Sequence, residues 1–134
     1  MRQMFVNLPV KDLQASMSFY RALGFDFNPQ FTNETAACMI VEQNIFVMLV
    51  TEAFFKTFTP RPLCDAHKNT EVLVCISCDS RAQVDELTAK ATKAGGTIPR
   101  AAQDHGFMYS HAFADVDGHI WEPMWMDASA IAQS

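Results

Sequence analysis

The sequence predicts an α+β fold built from two βαβββ modules, a mixed sheet with helices outside and a concavity between the halves. Three observations carry that expectation. The order strand, helix, three strands can be read twice along the 134 residues. Each helix-like segment is stopped by glycine, Gly24 in the first copy and Gly95-Gly96 in the second. A turn dipeptide then precedes the last strand of each copy, Gln43-Asn44 and Asp117-Gly118.

Taken in order, Met4–Val10 is a short apolar run consistent with a strand, broken by Asn7. Asp12 offers a side-chain cap to a helix whose Leu13, Met17 and Tyr20 recur at i, i+4 and i+7. Strands are then expected at Phe25–Phe31, Ala36–Glu42 and Asn44–Val50. In the second copy Glu71–Ser77 is rich in β-branched residues, and Ser80 with Gln83 forms a capping box. Val84, Leu87 and Ala91 give one apolar helix stripe. The closing strands are expected at Thr97–Ala101, Phe107–Ala114 and His119–Met126.

The result is one domain over residues 1–134, with module one at about 1–51, a linker at 52–69 and module two at about 70–127. Phe54, Phe55 and Phe58 in the linker suit a short helix docked on the core, or a lid of aromatics over the concavity.

Composition excludes several roles. The chain is 49% hydrophobic and 19% charged, the balance of a soluble globular protein. No apolar run reaches the roughly 20 residues that span a bilayer, and the N-terminus lacks the form of a signal peptide. A cytoplasmic location is expected. The net charge of −5, with no basic stretch, speaks against nucleic acid. Cys75-Ile-Ser-Cys78 has C-x-x-C form, but residues three apart in a strand face opposite ways and cannot converge on one ion. Buried, reduced cysteines are expected.

These residues lead to a family. Asn7-Leu8-Pro9-Val10-Lys11-Asp12-Leu13, Ser18-Phe19-Tyr20, Leu23-Gly24-Phe25, Ala94-Gly95-Gly96 and Asp115-Val116-Asp117-Gly118-His119-Ile120-Trp121-Glu122 resemble the vicinal-oxygen-chelate superfamily. That superfamily comprises glyoxalases, bleomycin-resistance proteins and extradiol dioxygenases. The resemblance extends from Met1 to about Asp127 and is close to small bacterial proteins described as lactoylglutathione lyase-like. It implies paired βαβββ modules curled into a half-barrel around a pocket, in a homodimer. Metal-dependent members hold a divalent ion by four His, Glu or Gln side chains, from the first and last strand of each module. The ion acts there as a Lewis acid on neighbouring substrate oxygens.

This sequence departs from that quartet. The four positions fall on Phe5, Met48, Leu73 and Glu122, with Glu71 two residues before Leu73 as a further oxygen donor. Phe and Leu offer no donor, and a thioether is a poor ligand for a hard ion. No cofactor is therefore expected; a metal, if present, would rest on Glu122 and Glu71. Of the histidines, His105 belongs to a turn, His111 to a core or interface, and His119 faces away from Glu122.

Strand alternation instead predicts a ligand-binding face of Phe5, Asn7, Phe46, Met48, Leu73, Cys75, Ile120, Glu122 and Met124, with Glu71 and Ser110 at its rim. Trp121 and Trp125 take the opposite face. Glu122 is the candidate catalytic base for proton abstraction beside a carbonyl. Three functions compete: a metal-free binder of a small apolar molecule, a glyoxalase-like lyase, isomerase or dioxygenase with a degenerate metal site, and a dimer module with a vestigial pocket.

Overall fold

The computed structural model describes residues 1–129, and the chain divides after Asp65 into two compact units. Each holds one open sheet of mixed strand direction, and each begins with a strand that runs parallel to its last one. The architecture is α+β, as expected, with the order βαβββ in the first unit and the same order in the second except that one strand is split in two.

In the first unit, β1 (Met4–Val10), α1 (Leu13–Ala22), β2 (Asp26–Asn28), β3 (Ala36–Glu42) and β4 (Ile45–Thr51) give the sheet order β1-β4-β3-β2. The Asp12 carboxylate caps α1 by accepting from the Ala15 amide at 3.1 Å. Gly24, at φ +102°, ends it, its amide donating to the Arg21 carbonyl. Leu13, Met17 and Tyr20 are buried, as are Leu8, Val10, Val47 and Leu49 on alternate positions of β1 and β4. Burying each such side chain contributes roughly 1.5–3 kcal/mol. The first part of the linker forms a short helix, α2 (Glu52–Phe55), packed against β1 and β4.

In the second unit, β5 (Leu73–Ser77), α3 (Arg81–Lys93), β6 (Gln103–Asp104), β7 (Met108–Ser110), β8 (Phe113–Ala114) and β9 (Ile120–Met126) surround a central β9. β5 lies on one side of β9, while β7 and β8 pair with it on the other. Ser80 caps α3 through the Gln83 amide at 3.1 Å, and Gln83 reaches back to the Asp79 amide at 2.6 Å. That is the expected capping box, shifted by one residue on its return arm. Val84, Thr88 and Ala91 of α3 are buried, together with Trp121 and Phe113, whose rings stack at 6.2 Å.

Proline accounts for the three places where strand expectations fail. The expected strand Phe25–Phe31 stops at Asn28 because Pro29 begins a 3-10 turn, with Asn28 Oδ1 accepting from the Gln30 amide. The expected strand Thr97–Ala101 is reduced to a bridge between Thr97 and Ala114, and Pro99 has no amide with which to continue it. The expected strand Phe107–Ala114 is split into β7 and β8 opposite Pro123. His111 donates to the Pro123 carbonyl at 3.1 Å, but Pro123 has no N–H to return to the His111 carbonyl.

The Asp117-Gly118 turn also differs from a two-residue hairpin. Gly118 has φ +88°, but Asp117 does not share the positive φ that a type I′ turn requires. Asp115 organises the loop: its Oδ1 accepts from the amides of Asp117 and His119, and its carbonyl accepts from Gly118. The backbone of Ala66 and His67 lies directly against Gly118.

Candidate functional site

Within each sheet the residues grouped by alternation do share a face. In the second unit Leu73 pairs with Ile120, Cys75 with Glu122 and Ser77 with Met124, so these six side chains share one face. Ser110 pairs with Met124 and belongs to it as well. Leu73 is 51% exposed, and Cys75 and Ser77 are also exposed, whereas Ile120, Glu122 and Met124 are half-buried and Ser110 is buried. The other face carries Trp121 and Pro123, both buried, on the side of α3, with Val74, Ile76 and Trp125 half-buried. Helix packing on one side leaves the Glu122 side the more exposed of the two.

Glu122 has a partner that the sequence did not suggest. Arg100 Nη2 lies 3.1 Å from Glu122 Oε2, with only about a quarter of each side chain exposed. The same nitrogen donates to the His111 carbonyl at 3.2 Å and reaches Ser110 Oγ at 3.4 Å, while Nη1 donates to the Ala101 carbonyl at 3.0 Å. The proline pattern explains this placement. Pro99 releases the Arg100 segment from ladder pairing, and Pro123 leaves the His111 carbonyl short of its ladder donor. A guanidinium carries five donors on a long stem and can fill that gap from the open face. Having done so, it meets the Glu122 carboxylate. The one signal in the sequence was a lone arginine following a proline among Ile98, Ala101 and Ala102.

Cys75, beside Glu122, has its thiol pKa raised, first by desolvation and then by the Glu122 charge. It is therefore a neutral, weakly polar part of the lining and no nucleophile at neutral pH. Cys38 and Cys78 are shifted upward too, again mainly by burial.

Glu71 does not converge on Glu122. Its carboxylate lies 2.7 Å from His119 Nδ1, and His119 is nearly buried. A carboxylate oxygen only accepts, so Nδ1 carries the proton in this bond. His111 Nδ1 accepts from the Ala112 amide at 2.9 Å and serves the backbone, while His105 is exposed in its turn.

In the first unit Phe5 pairs with Phe46 and Asn7 with Met48, so these four share a face of that sheet. The Phe5 and Phe46 rings stack at 4.8 Å, and Phe5 is still 50% exposed. This is the face opposite α1, whose own side is filled by the unit's core.

A family model for the N-terminal region of bleomycin resistance protein-like chains matches residues 2–42. Among solved structures, a hypothetical protein from S. aureus superposes with a TM-score of 0.79 at 28% identity, covering 93% of this chain and 94% of that one. A glyoxalase/bleomycin resistance protein/dioxygenase family enzyme from Burkholderia phytofirmans PsJN gives the same TM-score at 15% identity, covering 94% and 99%. This is the vicinal-oxygen-chelate fold. The fosfomycin resistance protein FosX from Mesorhizobium loti shares it, with a TM-score of 0.69 at 14% identity over 96% of this chain and 95% of that one. No curated protein sequence matches the chain.

Members of the vicinal-oxygen-chelate fold that use a metal need four converging donors, and the residues here do not fit that need. Phe5, Met48 and Leu73 supply no hard donor, and Glu122 is engaged by Arg100. Among the described residues, no group of three or more His, Cys, Asp or Glu side chains is placed to hold an ion. The carboxylate at the surviving ligand position has a cation of the protein's own.

Proposed function

We propose that this chain is a glyoxalase/bleomycin-resistance-like protein that binds a small, mostly apolar molecule without the usual divalent-metal quartet. The observation that carries the reading is the Arg100–Glu122 pair set in a mostly apolar, partly exposed sheet face. Leu73, Ile120 and Met124 supply apolar area there, and the Arg100–Glu122 pair supplies a polar point of attachment. Phe5, Phe46 and Met48, with the polar Asn7 beside them, form a further mostly apolar face on the first module. A fosfomycin resistance protein and a bleomycin resistance protein-like family model lie among its relatives, and small-molecule binding is the property this reading carries over.

Under this reading the two modules serve one domain, the protein works as a cytoplasmic homodimer, and Glu122 contributes polarity and orientation rather than metal binding. Any proton transfer it performs would require the carboxylate to exchange Arg100 for the substrate.

The test combines metal analysis with a ligand screen by thermal shift. Protein purified without chelator is expected to carry less than about a tenth of an equivalent of Ni, Zn, Mn or Fe, and its Tm should not move on reconstitution. Small aromatic compounds should raise the Tm, and Leu73→Asp should abolish the rise. Stoichiometric metal, or a gain in Tm of several degrees with Ni or Zn, would replace this reading with a metal-dependent lyase, isomerase or dioxygenase. A screen in which no compound stabilises the protein would leave a dimer module with a vestigial pocket.

A further inference from the structure

Resting on the binding reading above, the geometry points to a specificity for ligands that present a neutral donor–acceptor edge, as a carboxamide or lactam does, over ligands that present a carboxylate. The residues that carry it are Arg100, Glu122 and Ser110 on the open face of the second sheet.

The hydrogen-bond inventory of the pair is incomplete in both directions. Arg100 has five N–H groups. Among the described residues its bonds run from Nη2 to Ser110, His111 and Glu122, and from Nη1 to Ala101. That leaves Nε–H and one Nη1 hydrogen without acceptors. Among the described residues Glu122 accepts through Oε2 alone, which leaves Oε1 its full capacity. The pair thus offers spare donors and a spare acceptor, partly shielded from water, on the sheet face that also carries Leu73, Ile120 and Met124.

Its net charge is zero. A ligand carboxylate would be attracted by Arg100 and repelled by Glu122 in similar measure, yet would still have to shed its own hydration. An amide edge loses far less on desolvation. It can place its oxygen on the guanidinium and its N–H on Glu122 Oε1 at the same time. The proline arrangement keeps the pair in this state: the His111 and Ala101 carbonyls hold the guanidinium in position, so it cannot swing away from Glu122 toward an anion without giving up backbone bonds.

The experiment is a titration of the full chain, followed by 1H–15N correlation spectra, with three probes of one size: benzamide, benzoate and fluorobenzene. At pH 7 the wild type should bind benzamide about tenfold more tightly than benzoate, the order expected for one partly screened charge contact. Shifts should centre on the Glu122 and Ser110 amides and the Arg100 Nε–H. Glu122→Gln removes the repulsion, so benzoate should then bind at least as tightly as benzamide. Arg100→Met should bring benzamide down to the affinity of fluorobenzene.

Benzoate matching or exceeding benzamide in the wild type overturns the inference without recourse to either variant. An unchanged ranking in a folded Glu122→Gln does the same. If fluorobenzene perturbs the face while benzamide has no advantage over benzoate, the specificity fails and the binding reading stands. If no probe perturbs the face, the binding reading fails and takes the specificity with it.

Discussion

Gly118 lies in the turn just before β9, the strand that carries Glu122, and replacing it by alanine should be among the most damaging single-methyl additions in the chain. Two independent costs can be worked from the structure. An L-residue held at φ +88° costs about 1–2 kcal/mol. A Cβ at this position would also stand 2.7 Å from the His67 amide nitrogen, 2.8 Å from the Ala66 carbonyl carbon and 2.9 Å from its oxygen. All three are backbone atoms that cannot rotate aside, and overpacking of this kind costs typically 1–3 kcal/mol. Alanine restricts the unfolded chain and returns about 0.4–1 kcal/mol. The net expectation is about 2–4 kcal/mol. Gly24→Ala provides the control, because it has φ +102° but nothing within 4 Å of the added carbon. It should lose about 1 kcal/mol or less. Equilibrium urea unfolding measures both. With a slope of about 2 kcal/mol per molar, Gly118→Ala should lower the midpoint by about 1–2 M and Gly24→Ala by about 0.5 M or less. Equal losses at the two glycines would refute the close approach of Ala66–His67 to the turn.

Other expectations follow from the same second module. Asp104 is held at a pKa of about 2, first by the Arg81 side chain at 2.7 Å and then by the Gly106 amide. Its contribution is therefore present above the unfolded value near 3.8 and is lost as pH falls from about 4 through about 2. Tm profiles of wild type and Asp104→Asn should converge below pH 2 and separate above pH 4, and a constant gap across that range would exclude the assignment. Trp121→Ala, which empties the fully buried site stacked on Phe113, should cost about 3–5 kcal/mol by urea unfolding; a loss under about 1.5 kcal/mol would contradict its burial. Pro123→Ala restores an N–H opposite His111, so the new amide at position 123 should be protected in hydrogen exchange and the Arg100 side-chain resonances should broaden or shift. Unprotected exchange at that amide, with Arg100 unchanged, would show that the missing ladder donor does not set the guanidinium.

Much of this protein can be read from the chain alone, because the deciding interactions are local. Asp12 and Ser80 cap helices through amides three residues away, and Gly24 supplies the positive φ that ends the first helix. Alternation by itself places Glu122 with Ile120 and Met124, and Trp121 on the other side, since a strand has a period of two. The prolines are equally legible, yet the strands expected at Phe25–Phe31, Thr97–Ala101 and Phe107–Ala114 do not reckon with them. In the third case the interrupting residue, Pro123, lies on a different strand from the one it splits.

That case marks the boundary between sequence and tertiary structure. Which face Glu122 takes is a property of β9. What meets it there depends on a hydrogen bond that Pro123 cannot make, on a carbonyl of His111 left open by it, and on an arginine 22 residues away that is long enough to fill the gap. None of these is a local pattern. A flexible guanidinium goes where unsatisfied oxygens are, and only the folded sheet brings the His111 carbonyl, Ser110 Oγ and the Glu122 carboxylate to one point. The sequence determined that a carboxylate would stand on a mostly apolar face without the metal ligands of the metal-dependent proteins it resembles. Tertiary structure decided that it would stand there paired with a cation.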